Sequence, residues 1–463
     1  MIKRRAALLP LYLELYDLVE PQSRARCESF LATITLELEK RGLELLRLPV
    51  CRLEIEFAEA IRQSEESRVD AIITLHLAYS PSLESVRALT GTKLPLIVLD
   101  TTPAYNFGPT QSMDEVMFNH GIHGVQDMCN LLRRNGKPFF IEAGHWLESD
   151  VLDRVTARVS GAVLAARMRK ARVGSVGGPF KGMGDFAIPA ESLHADMGVQ
   201  IVVYDFTEGL ERIRAVDEAA IDEEMGRISA FCETAGLVPE VFRESVRTGL
   251  ALRDWIQTQR LTAFTVNFLA TDKQPGLPRM PFLEASLAMA RGIGYAGEGD
   301  ALTAALVGTL LSVFPETTFT EMFCPDWEHN AIFLSHMGEM NLSLMDAPPR
   351  LVEENFTYTS AGNPVLACGR LKAGAAWIAN LAPYGAGLYV LILVPVTVRA
   401  VQGEDRMQNS VHGWFEPRLP VAQFLQEYSL AGGTHHIALT YGDARTGLET
   451  FGQLMGWKVR IIG

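Results

Sequence analysis

The chain has 463 residues, 48% hydrophobic and 21% charged, with a formal net charge of -13. That length exceeds a single hydrophobic core and implies roughly two to four domains. The acidic balance excludes a nucleic-acid partner, which needs clustered Lys and Arg, and the longest apolar run, Leu388–Val398, is about half of what a membrane span requires.

The chain opens on Met1-Ile-Lys-Arg-Arg and an apolar run, the outline of a short signal peptide. Glu14 and Asp17 interrupt it and no small-residue cleavage site follows, so a first strand is predicted. Strands are expected at Ala7–Leu13, Leu43–Pro49, Ala71–Leu77, Leu96–Asp100, Pro138–Glu142 and Val173–Val176, with helices such as Ser23–Arg41 and Leu53–Ser64 between them. Short apolar strands alternating with amphipathic helices predict a parallel sheet covered on both faces. The basic run Arg167-Met-Arg-Lys-Ala-Arg172 reads as a solvated helix end. A second α/β block follows, with strands at Gln200–Phe206 and Ala263–Phe268 and a helix at Phe282–Arg291. From about residue 316 the chain turns β-rich: Asn330–Leu334, Phe356–Tyr358, Gly374–Ala379, Gly387–Val398, His435–Tyr441 and Trp457–Ile462. That pattern predicts an antiparallel sheet or barrel. The fold class expected is therefore α/β: two doubly wound parallel-sheet domains (1–170 and 171–315) and a C-terminal antiparallel barrel-like domain (316–463). Six scattered cysteines without a C-x-x-C pair fit reduced thiols in the cytoplasm.

Four segments carry the ligand types of a divalent metal site. In Gly297-Glu298-Gly299-Asp300 a carboxylate lies between two glycines just before a helix; the plain alternative is a helix N-cap with Asp300 as cap. Glu321 follows the Thr-rich strand Thr317–Thr320, where an acidic residue is equally at home on an exposed position. His336 ends an apolar strand, where both ring nitrogens need partners. Gly432-Gly-Thr-His435-His436 puts adjacent histidines at a strand start, pointing to opposite faces. Two carboxylates and imidazoles suit Mn²⁺, Co²⁺ or Mg²⁺ better than a structural Zn²⁺, which usually recruits thiolate. Val176-Gly-Gly-Pro-Phe-Lys-Gly-Met183-Gly is glycine-rich but fits neither nucleotide-binding spacing.

The order of these segments resembles the L-arabinose isomerase family. So do His76…Ser80-Pro81, Asn119-His-Gly-Ile-His123-Gly, Gly144-His145-Trp146, Phe264-Thr…Phe268 and Pro275-Gly-Leu-Pro. The resemblance implies metal ligands at Glu298, Glu321, His336 and one of the adjacent pair, with His436 chosen and His435 left to the substrate. It implies that Glu298 and Glu321 are the acid–base pair, that His123 approaches the substrate from the first domain, and that Met183 and Phe268 line the pocket. It further implies a homo-oligomer, hexamer or trimer, with the site between subunits. The chain departs from the family in its opening, Leu9-Pro-Leu-Tyr-Leu-Glu-Leu-Tyr16, and at His120-Gly-Ile. The chemistry motifs are kept while the substrate-reading end is rewritten. The expected function is a metal-dependent aldose–ketose isomerase acting on a free pentose, hexose or deoxy sugar. An epimerase on the same scaffold and a non-catalytic sugar-binding protein are the alternatives.

Overall fold

The apolar strands of the first 150 residues bury both faces, which requires a parallel sheet with helices on two sides. A computed structural model describes residues 3–272 and 274–463; Met1 and Ile2, which open the leader-like run, lie outside the described residues. The chain divides into two units, one running through Ala166 with Glu449–Leu454, the other Arg167–Leu448 with Met455–Gly463.

In the first unit β1 (Arg4–Leu11), β2 (Leu43–Arg47), β3 (Ala71–His76), β4 (Leu96–Asp100) and β5 (Phe140–Ala143) form a parallel sheet of order β2-β1-β3-β4-β5. Side chains alternate across it. Ala6, Leu8, Ile73, Leu75, Ile97 and Leu99 share a core with helices Ser23–Lys40 and Val151–Met168. Ala7, Leu9, Ile72 and Val98 share another with helices Glu54–Glu66 and Gly121–Arg134. The doubly wound arrangement thus follows from the two-residue period of the strands.

The second unit contains β6 (Arg172–Val176), β7 (Gln200–Val203), β8 (Ala263–Val266) and β9 (Gly294–Gly297), a parallel sheet of order β7-β6-β8-β9. Two predicted strands end early. The Asp205 carboxylate accepts the N–H groups of Thr207 and Glu208 and opens a helix at Phe206. Asn267 likewise accepts the Leu269 N–H, which turns Phe268–Thr271 into a short 3₁₀ helix. In both cases a side-chain cap wins over strand propensity.

Nine further strands follow: β10 (Thr317–Asp326), β11 (Ala331–Ser335), β12 (Arg350–Glu353), β13 (Val365–Arg370), β14 (Gly374–Gly385), β15 (Leu388–Val398), β16 (Val411–Pro417), β17 (His436–Tyr441) and β18 (Lys458–Ile461). Six of them, β16-β11-β10-β17-β14-β15, close on themselves through β15–β16 pairing into an antiparallel barrel, filled by residues such as Ile378, Ile392, Phe415, Phe424 and Leu439. Closure removes the edges that an open sheet of these apolar strands would expose. Phe356–Tyr358, predicted as a strand, belongs to no strand. Its aromatic rings pack on Phe268 instead, at 5.8 Å for both Phe356 and Tyr358, so packing overrides β propensity. The helix Ala301–Leu311 is buried from Leu302 onward and packs against both β8–β9 and β10–β17. That explains why it is apolar all round. No helix among the described residues is long and apolar enough to cross a membrane.

Candidate active site

The barrel ladder and the end of β9 converge on one point. Glu321 on β10 pairs with Ser335 of β11 on one side and with His436 of β17 on the other, and His336 directly follows Ser335. Strand register therefore lines up residues that are far apart in sequence. Glu298 sits just past the carboxyl end of β9, where parallel sheets present ligand-binding groups. Its Oε2 lies 3.7 Å from the Nε2 of His436 and 3.7 Å from the Nε2 of His435. The Nε2 of His336 lies 4.0 Å from Glu321 Oε2. Ligand atoms of Glu298, His435 and His436 all lie within 4.8 Å of one another, as do those of Glu321, His336 and His436. His436 belongs to both groups. Its side chain is fully buried and that of His336 nearly so, whereas Glu298, Glu321 and His435 are 14%, 22% and 30% exposed. The site thus has a closed back and an open front.

Each histidine is oriented by a carboxylate on its Nδ1. Glu339 holds His336 at 2.8 Å, Asp300 holds His436 at 3.0 Å, and Asp185 holds His435 at 2.6 Å. Engaging Nδ1 in this way leaves Nε2 facing the cluster. Glu339 is steadied by the Tyr295 hydroxyl, which donates to it at 2.8 Å. Phe186 stacks on His436 at 5.1 Å, and Phe319 meets His336 and His436 edge-on at 4.8 and 5.0 Å. Glu298 has φ +61°, a left-handed conformation uncommon for a residue with a side chain, and its carbonyl accepts the Phe180 N–H at 2.9 Å. Gly297 has to be glycine, since a Cβ there would lie 2.5 Å from His336 Cε1. None of the three orienting carboxylates is assigned that role from the sequence. Glu339 has a local signal, three residues after His336, and Asp300 reads from the sequence only as a cap. Asp185 is 250 residues from His435 and has none.

Charge and burial suit the site to a cation. The Nε2 of His436 is buried without a hydrogen-bond partner among the described residues. A buried bare imidazole nitrogen needs an electrophile or a donor. Burial disfavours the charged form of Glu298, but His435 first and then the nearby His336 and His436 outweigh it and hold its pKa below the usual range. Burial also disfavours protonated His336, but Glu339 and then Glu321 outweigh it and raise its pKa. For His435 burial is outweighed by Glu298 and Asp185, which hold its pKa up at about 9. Oxygen and imidazole donors without thiolate fit a divalent cation; Cys324, three residues beyond Glu321, is solvent-exposed.

The remaining predicted residues are placed differently. Phe268 packs on Phe180 at 5.4 Å, and the half-buried Met183 donates its N–H to the Phe180 carbonyl at 3.4 Å. Both therefore flank the residue whose N–H holds Glu298. His123 belongs to the first unit, on the opening turn of the helix Gly121–Arg134, where its exposed ring meets His120 edge-on at 5.7 Å.

A family model described as the L-arabinose isomerase central domain matches residues 190–314, and one described as the L-arabinose isomerase C-terminal domain matches residues 316–458. The L-arabinose isomerase of Anoxybacillus flavithermus is 26% identical over 415 residues, covering 84% of this chain and 80% of its own. That of Lactiplantibacillus plantarum is 24% identical over 400 residues, covering 84% of each. A solved ABC transporter periplasmic solute binding protein from Actinobacillus succinogenes aligns with 67% of this chain and 91% of its own at 12% identity, but its TM-score of 0.16 is too low to bear on the fold. With the two family matches together taking in more than half of its residues, the chain belongs to the L-arabinose isomerase family.

Proposed function

We propose that the chain is a metal-dependent aldose–ketose isomerase acting on a free pentose, hexose or deoxy sugar. The observation that carries this reading is the clustering of two glutamates with two buried histidines around the unpartnered Nε2 of His436. Glu298, Glu321, His336 and His436 would hold a divalent cation, Mn²⁺ first and Co²⁺ or Mg²⁺ as substitutes, which when bound supplies Lewis-acid polarisation of a sugar carbonyl.

The protein's own groups do the proton work. One of Glu298 and Glu321 takes the proton from the carbon next to the carbonyl, and the other moves a proton between the two neighbouring oxygens. The cis-enediol so formed regains the carbon-bound proton at the adjacent carbon, so the carboxylates end as they began. The depressed pKa of Glu298 keeps it ionised and ready to accept a proton. The closed back, formed by His336, His436 and Phe319, keeps water from the enediol. His435, with its exposed front, can donate to a sugar hydroxyl, and Met183 and Phe268 line the approach. The reading extends to a cytoplasmic homo-oligomer, hexamer or trimer, with the site between subunits and His123 serving there; sedimentation measures that state.

The test is to incubate metal-stripped protein with a panel of aldoses and ketoses, with and without Mn²⁺. Metal-dependent interconversion of one of them is the expected result. Glu298→Gln and Glu321→Gln should each lose at least ~10²-fold in rate. Either variant retaining more than about a tenth of the rate would overturn its role, since it would supply ~1.4 kcal/mol or less. Failure to convert any sugar despite bound Mn²⁺ would overturn the isomerase reading.

A further inference from the structure

The glycine-rich loop of residues 177–186, between β6 and the helix Ala190–Met197, grips the cluster at three separate points. Phe180 donates its N–H to the Glu298 carbonyl at 2.9 Å. Phe186 lies flat on the His436 ring. Asp185 accepts from His435 twice through the same Oδ2, from Nδ1 at 2.6 Å and from the backbone N–H at 3.3 Å. The first contact meets the residue directly behind β9, and the second a residue that strand register and burial already hold. The third is different. His435 precedes β17 and lies in no strand, and its ring is partly exposed. Its aromatic contacts, with Phe186 at 5.5 Å and His436 at 4.2 Å, are tilted ring pairs and do not distinguish a ring nitrogen from the ring carbon that a flip puts in its place. A ring flip about Cβ–Cγ would put Cδ2 in the place of Nδ1 and Cε1 in the place of Nε2 while preserving much of that packing.

We propose that Asp185 is a positioning residue that holds His435 with its Nε2 edge turned to Glu298 and the open front of the site. This deepens the isomerase reading and, for its effect on turnover, rests on it. An aspartate suits the task because both carboxylate oxygens only accept. Gripping the side chain and the backbone N–H of the same residue fixes the ring against its own main chain. The proposal gives the glycine-rich segment a role that its spacing alone does not reveal: it couples the wall carrying Met183 to the front histidine.

The test uses Asp185→Asn, Asp185→Glu, His435→Gln and the Asp185→Asn/His435→Gln double variant. Proton spectra of the metal-free protein should show a low-field imidazole resonance that disappears in His435→Gln and in Asp185→Asn and survives in Asp185→Glu. This readout needs no turnover. On the best sugar of the panel, Asp185→Asn should lower kcat/KM about tenfold or more, the scale of a charge-assisted hydrogen bond, and Asp185→Glu should recover part of the loss. In the His435→Gln background the same Asp185→Asn change should matter less than about twofold. Equal losses in both backgrounds, or a resonance unaffected by Asp185→Asn, would overturn the proposal. If the wild type turned over no sugar, the isomerase reading would fall, while the resonance would still decide whether Asp185 holds His435. Asp185 is 35% exposed, so its substitution leaves the core untouched, and thermal melts of each variant check this.

Discussion

Asp300 serves two elements at once: Oδ2 accepts from His436 Nδ1 at 3.0 Å, while Oδ1 accepts the backbone N–H of Thr303 at 2.9 Å. The helix cap and the orientation of the central histidine share one buried carboxylate. The two roles separate by substitution. Asp300→Asn can still cap through its oxygen, but turns an amide donor toward the Nδ1–H of His436. Asp300→Ala loses both. Both variants should bind Mn²⁺ about 10–100-fold more weakly in calorimetric titration. Only the alanine variant should also lose the cap, about 1 kcal/mol in denaturant unfolding of the metal-free protein. Wild-type Mn²⁺ affinity in Asp300→Asn would remove His436 from the ligand set.

Glu298 combines the side chain proposed for proton transfer with a strained backbone. A left-handed conformation costs a non-glycine residue on the order of 1 kcal/mol or more, and φ here is +61°. Glu298→Gly should relieve that strain while abolishing turnover. The metal-free glycine variant should therefore be at least as stable as wild type, by up to about 1 kcal/mol. A clear loss of stability would show that the Glu298 contacts with His435 and His436 outweigh the strain.

What was legible in the sequence depended on whether the cause was local. The first unit's sheet was readable because each strand pairs an apolar run with turn residues, and Leu96–Asp100 appears with the predicted bounds. Phe356–Tyr358 misled because aromatic residues favour strands in general, while here they pack on Phe268. At the site, the wording around Glu298, His336 and His436 pointed to metal ligands, but composition and spacing did not reveal that β10 and β17 place Glu321 opposite His436. Register is a property of two strands and was invisible in either one. The same holds for Asp185, whose partner lies in another layer of the unit.

Metal uptake should release a proton. His336 has a raised pKa in the metal-free protein, because Glu339 and Glu321 outweigh the effect of burial, yet a metal ligand must be neutral imidazole. Protonation competes with the cation, so affinity should fall as pH drops and rise as pH increases through the raised pKa. The limiting slope is about tenfold per pH unit for each proton displaced. Mn²⁺ titrations at neutral pH in two buffers of different ionisation enthalpy would count the protons. A heat independent of buffer would mean that His336 is already neutral or is not a ligand.

His76 offers a pH test of the first unit that is independent of the proposed metal site. It ends β3, fully buried, with no hydrogen-bond partner for either ring nitrogen among the described residues. The backbone of Gly124 closes on its ring so tightly that a Cβ there would lie 2.3 Å from Cδ2. Burial pushes its pKa down from 6.5 to about 3, against a smaller opposing pull from Asp127. The folded state keeps His76 neutral while the unfolded chain binds a proton below pH 6.5. Stability is therefore fully present above that value and lost as pH falls toward 3, at up to about 1.4 kcal/mol per pH unit. Between pH 6.5 and 5 the loss from this one group is about 1.6 kcal/mol. Hydrogen exchange of peptides from β3 should show opening that becomes easier over this range, with a shallower pH dependence in His76→Gln. The same slope in both proteins would assign the acid sensitivity of this unit to other groups.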